Sequence, residues 1–133
     1  MNQIVVSGKR KTAVAKATIK SGSGNIFINK KPAQFFPELQ QLELAEPLVI
    51  AKKILGNLNF DIFVNVSGGG INCRIEASRL AIAKAIVAFT KEEKIKHAFL
   101  AYDRNMLVAD TRRKEAYKPG DSKARARRQT SYR

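Results

Sequence analysis

Three short stretches of this chain carry residue types that could do chemistry. Gly68-Gly69-Gly70-Ile71-Asn72-Cys73 lies between a predicted strand and a predicted helix and matches the opening of a dinucleotide-binding fingerprint. Its third glycine is replaced by Cys73, and the acids further on, Glu92 and Glu93, fall in a Lys-rich helix rather than at a strand end. The repeated β-α-β context is missing, and no Gly-Lys-Ser/Thr follows the glycines, so neither a dinucleotide nor a P-loop nucleotide is expected. Two readings stay open for the triple glycine. It is a tight turn that needs an unhindered backbone, or a helix N-terminus whose exposed amides receive an RNA phosphate. His97 is the sole histidine and sits beside Lys96, which leaves a metal site without partners. Asp103 and Asp110 flank Arg104 and suggest a local ion pair more than a two-carboxylate catalytic site. No enzyme and no cofactor is expected.

The remaining chemistry is cationic. Lys9-Arg10-Lys11 forms a basic turn near the start, and the end of the chain is basic throughout. Residues 111–133 hold Arg112, Arg113, Lys114, Lys118, Lys123, Arg125, Arg127, Arg128 and Arg133 against only Glu115 and Asp121, which is half of the net charge of +14. The apolar residues there are three alanines and two tyrosines, Ala116, Tyr117, Ala124, Ala126 and Tyr132. Such a segment buries too little surface to offset its ordering entropy and needs a partner to hold one shape. Lys118-Pro119-Gly120 breaks any helix. In an extended chain, alternate residues face one side about 6.6 Å apart, so Lys123, Arg125 and Arg127 would form a row of cations near the phosphate spacing of a single strand. Arginine suits this role because its planar fork binds phosphate bidentately and stacks on bases. Fully stretched, the segment reaches about 75 Å.

The whole composition agrees with a polyanionic partner. The 133 residues suit one domain, and 44% of them are hydrophobic, enough for a core. A membrane surface is a poor fit, because the basic end has no bulky apolar residues spaced to insert. No run is long enough to span a bilayer, the N-terminus lacks the features of a secretory signal, and the single Cys73 allows no internal disulfide. These features predict a protein of a reducing, intracellular compartment.

The elements that must position these cations are legible in outline. Ile4-Val5-Val6, the alternating 13–19 and Ile26-Phe27-Ile28 read as strands separated by a basic turn and by Ser21-Gly22-Ser23-Gly24-Asn25. Pro32 and Pro37 bracket Phe35-Phe36, an expected irregular or one-turn segment. Glu46-Pro47 is expected to open a short helix that ends at Gly56-Asn57. Residues 61–66 form a central strand. A long helix near 71–90 carries a seam of Ile75, Ile82, Ile86 and Phe89, and an amphipathic helix follows from about Lys91 to Ala101. Leu107-Val108 is expected to close the body as a short strand or extended segment. The order predicts an α+β body over 1–110, a mixed sheet with helices on one face, and an extended basic tail over 111–133.

Several of these stretches together resemble a known family. Gly8-Lys9-Arg10-Lys11-Thr12-Ala13-Val14-Ala15, then Gly68-Gly69-Gly70, then Arg79-Leu80-Ala81-Ile82-Ala83-Lys84-Ala85 are followed by Tyr102-Asp103-Arg104 and the ending Arg127-Arg128-Gln129-Thr130-Ser131-Tyr132-Arg133. This combination resembles the ninth family of small-subunit ribosomal proteins (S-nine). Ser-Tyr-Arg at the end and the Tyr-Asp-Arg segment are similar to its archaeal and eukaryotic branch. The resemblance implies a body like the second domain of ribosomal protein S-five, bound to ribosomal RNA in the head of the small subunit in the cytoplasm, beside neighbouring head proteins. It also implies a tail running towards peptidyl-site transfer RNA. Arg127, Arg128, Gln129 and Ser131 would line that route, with Tyr132 and Arg133 nearest the transfer RNA. Bacterial members carry a lysine where Tyr132 stands, so stacking or hydroxyl bonding would replace a phosphate contact there. The residues alone leave a free-standing RNA-binding module as the alternative.

Overall fold

The strand alternation around residue 15 sets the architecture. In a computed structural model that describes residues 3–127 and 131, Ala13, Ala15, Ala17 and Ile19 are completely buried, while Lys16 and Lys20 stand exposed on the other side. They belong to β2 (Ala13–Ser21), which pairs antiparallel with β1 (Ile4–Arg10) and with β5 (Phe60–Ser67). β3 (Ile26–Ile28) runs parallel to β5 and antiparallel to β4 (Lys31–Pro32), giving the order β1-β2-β5-β3-β4. Asn29 and Lys30 both have positive φ (47° and 66°), as a two-residue hairpin of primed type demands. The Asn29 side chain then joins the neighbouring strand, donating to the Val66 carbonyl and accepting from the Val66 amide at 2.9 Å.

Three helices are present among the described residues: α1 (Glu38–Leu55), α2 (Ile71–Thr90) and α3 (Glu93–Tyr102). α2 lies across β1, β2 and β5, and α1 and α3 pack on it and on each other. The core is therefore one-sided, with Ile62, Val64, Ile75, Ile82, Ile86, Ile95 and Phe99 between sheet and helices. The expected α+β body with a mixed sheet and helices on one face is what the chain forms, consistent with the S-five-like arrangement. None of the helices within the described residues is long and apolar enough to cross a membrane.

Four local expectations are corrected. Pro47 does not open a helix; it lies well inside α1, fully buried, so packing offsets the backbone bond that proline cannot make. Leu107-Val108 is neither a strand nor extended: Leu107 is in the right-handed helical region, and both amides donate back to the Arg104 carbonyl. A one-turn 3-10 helix at Arg104–Met106 precedes it, with the Asn105 amide donating to Asp103 Oδ1 and Met106 driven fully into the core. The helix expected from Lys91 begins at Glu93, because Lys91 caps α2 in the left-handed conformation. Finally, Ala124 and Arg125 form a turn in which the Ala126 amide donates to the Lys123 carbonyl, so Lys123, Arg125 and Arg127 are not an extended row.

Candidate nucleic-acid interface

The triple glycine has a local reason to be glycine. Gly68 and Gly69 have φ of 76° and 65°, and a Cβ on Gly68 would meet the Thr12 carbonyl oxygen at 2.6 Å. A Cβ on Gly69 would meet Ala13 at 3.0 Å. The end of β5 is thus pressed against the turn between β1 and β2, as the tight-turn reading requires. Gly70 has open space around it and precedes the first turn of α2, and Arg74 Nε donates to the Gly68 carbonyl at 3.0 Å.

The same β1–β2 turn meets the root of the basic end. Arg10, Lys11, Thr12, Arg112, Arg113 and Lys114 line one groove of about 590 Å³. All of these but Thr12 are cations, and they come from two segments at opposite ends of the chain. One carboxylate holds them together. Asp110 accepts from the Arg112 amide at 2.9 Å and, on both oxygens, from the Arg112 guanidinium. It also pairs with Arg10 at 2.5 Å, and Arg10 in turn pairs with Glu76 of α2. The hydrogen bonds from the Arg112 side chain and backbone, helped by the charge of Arg10, hold the Asp110 carboxyl well below the usual carboxylate range. The Arg112 guanidinium is shifted upward by its bond to Asp110.

The other expected cations are distributed unevenly. Lys9 is exposed on the sheet, and Lys11 is exposed at the turn with a left-handed φ of 50°. The Arg10 side chain is only 17% exposed and is engaged by two acids, so it supports the groove more than it presents charge. Arg113 donates to the carbonyls of Asp110 and Arg112, and the Lys114 ammonium lies 4.4 Å from the Tyr117 ring centroid. Lys118 donates to the Ala126 carbonyl, and Arg125 pairs with Glu115 at 2.8 Å, so 115–126 turns back on itself. Lys123, Arg127 and Ser131 are exposed. Arg128, Gln129, Tyr132 and Arg133 lie outside the described residues.

Sequence reasoning missed Asp110 and Glu76 as the acids that tie the basic end to the body, and paired Asp103 with the wrong arginine. Asp103 in fact pairs with Arg79 of α2, 3.1 Å away, and Arg79 also pairs with Glu46 of α1. Arg79 is thereby a bridge between helices. The available signal was the low acid count, which makes each acid in so basic a chain a candidate staple for an arginine. His97 and Cys73 take no part: His97 is exposed, Cys73 is free, and no acid, histidine or cysteine cluster fit for a metal occurs among the described residues.

Comparison with known proteins identifies the family. The profile of the family described as Ribosomal protein S9/S16 matches residues 8–133. The chain belongs to that family. It is 47% identical over 136 aligned residues to a small ribosomal subunit protein uS9 of Methanococcus maripaludis, covering all of both chains. It is 46% identical over the same span to the protein of that name from Methanococcus vannielii. These archaeal relatives agree with the branch that the terminal residues suggested. The family is one of ribosomal proteins rather than of enzymes, and the groove at the β1–β2 turn is the candidate RNA contact in this chain.

Proposed function

We propose that the chain is a structural component of the small ribosomal subunit in the cytoplasm, binding ribosomal RNA in the head beside neighbouring head proteins. In this reading, residues 1–110 dock on RNA as a shaped, cationic body, and 111–133 follow the RNA towards the peptidyl-site transfer RNA. The observation that carries the reading is the groove in which Lys11, Arg112, Arg113 and Lys114 converge. A concentration of fixed cations there neutralises phosphates without reading bases. The amides at Gly68, Gly69 and Gly70 and the further cations Lys9, Lys118, Lys123, Arg125, Arg127 and Arg128 extend the contact, with Arg10 holding the groove in shape from behind. Gln129 and Ser131 lie on the route, with Tyr132 and Arg133 at its far end. Full-length membership of the S9/S16 family supports the assignment.

Co-sedimentation tests it. The tagged chain is expected to travel with small subunits in a high-salt gradient and to remain after washing. Release at moderate salt, with recovery on unrelated RNAs, would instead indicate a free-standing RNA-binding module.

A further inference from the structure

The side of the sheet away from α1, α2 and α3 has an unusual content. β2 sends Lys16, Thr18 and Lys20 to it, in alternation with the buried Ala15, Ala17 and Ile19. The register places Val5 opposite Thr18 and Phe63 on the other flank of Thr18. Phe27 of β3 is the registered partner of Phe63, and their rings stack with centroids 5.2 Å apart and planes 7° from parallel. Phe63 remains 40% exposed and Val5 59%, and the Lys20 ammonium lies 5.8 Å from the Phe63 centroid.

This patch does not behave as misplaced core. Large aromatics that fail to be buried are normally isolated, whereas these two form a stacked pair between cations. Its charge is also mostly of one sign, with three lysines against Asp61, which stands opposite Lys20 in the register. Lys9, Lys16 and Lys20 pair with no acid among the described residues. Asp61, the one acid whose strand position turns it to this side, spends its Oδ1 on the amides of Ser23, Gly24 and Asn25 at 2.9–3.1 Å. A protein partner of ordinary surface composition would have to supply acids to meet three unpaired lysines. A nucleic-acid strand meets the lysines with phosphates and the rings with bases.

We infer that this sheet face is a second RNA-binding surface, which takes an unpaired nucleotide by stacking its base against the Phe63–Phe27 pair while Lys16 and Lys20 hold the flanking phosphates. The inference rests on the RNA-binding reading above but names a different place and a different kind of contact. The groove meets phosphates of any strand, whereas the sheet selects unstacked bases. Duplex RNA offers no free base face, so the sheet discriminates single strands from helices and the groove does not.

The experiment measures binding of the full-length chain to oligouridine and to an RNA duplex of equal length. Phe63→Leu keeps an apolar side chain and removes the ring. It is expected to weaken oligouridine binding roughly fivefold or more, with duplex binding unchanged. Lys16→Gln with Lys20→Gln touches no core residue, and is expected to lower the salt slope for the single strand by about 0.7 per cation removed. Unchanged oligouridine binding by both variants, or equal losses on both RNAs, overturns the inference while leaving the groove intact. Failure of the unmodified chain to bind either RNA or to enter small subunits would overturn the parent reading as well. A photo-crosslinking phenylalanine analogue at position 63 in assembled subunits is expected to yield an RNA adduct. An adduct to protein alone overturns the sheet site.

Discussion

Gly8 lies so close to Ala77 that a Cβ at position 8 would come within 2.5 Å of the Ala77 carbonyl oxygen and 2.7 Å of the Ala81 amide nitrogen. β1 and α2 meet there backbone to backbone. Gly8→Ala must push the helix off the strand, and overpacking of this kind costs about 1–3 kcal/mol. Urea unfolding is expected to show the loss as a lower midpoint with an unchanged slope; a midpoint equal to that of the unmodified chain would show that the helix and strand are loosely apposed there.

Arg79 joins three helical segments through Glu46 and Asp103, and its side chain is only 16% exposed. Arg79→Met leaves two half-buried carboxylates without their cation. Full burial of such a broken pair costs about 3–5 kcal/mol, and the residual solvent exposure reduces this to roughly 2–3 kcal/mol. Adding Glu46→Gln and Asp103→Asn in the same chain should recover part of the loss, because the stranded charges are then gone. If the triple variant were less stable than Arg79→Met, the charge argument would be wrong.

The Asp110 carboxyl is held low by Arg112 and Arg10, which fixes the sign of its pH dependence. A carboxylate depressed in the folded state adds stability above its unfolded value, about 3.9, and loses it as pH falls towards the folded value. Asp110→Asn should therefore differ from the unmodified chain by a constant amount from neutrality down to about pH 5, with the gap closing in stronger acid. Thermal unfolding followed across pH reads this directly, and a gap that closed above about pH 5 would contradict the depressed carboxyl.

Arg112, Arg113 and Lys114 are the tail-side wall of the groove. Replacing all three with glutamine should lower the magnitude of the salt slope of RNA binding by about 0.7–0.9 for each phosphate that is no longer neutralised. The body should lose only the stability that Arg112 contributes through Asp110, since residues 111–121 are otherwise exposed. A slope equal to that of the unmodified chain would remove the groove from the RNA-binding surface.

Truncation of residues 129–133 is expected to leave body stability and subunit incorporation intact while weakening retention of peptidyl-site transfer RNA. Filter retention of transfer RNA by ribosomes carrying the shortened chain measures it. Equal retention would deny the terminal residues that role.

Legibility in the sequence follows the range of the forces involved. α2 is readable to its ends, Ile71–Thr90, because its seam of Ile75, Ile82 and Ile86 is a local periodic signal that starts directly after three glycines. The first half of α1 is not, because Pro47 normally marks a beginning, and only tertiary burial explains its place in the interior. The cations are readable as types but not as roles. Arg10 and Arg79 look like Lys11 and Arg113 in the sequence, and only the acids brought from distant segments separate the supporting arginines from the exposed ones. The stacked Phe27 and Phe63 depend on a parallel strand register that no local pattern encodes.

The seam between α2 and the sheet is lined by small side chains, Ala13, Ala15 and Ala17 below and Ala77, Ala81 and Ala85 above, all completely buried. Alanine has no rotamers to lose on burial, so this seam sets hard without side-chain entropy opposing it. The β1–β2 turn and the start of α2 are consequently one stiff template. In the proposed RNA-binding reading, the ordering cost of assembly would then fall on the segments beyond the template, so that the body docks before the thread that follows it.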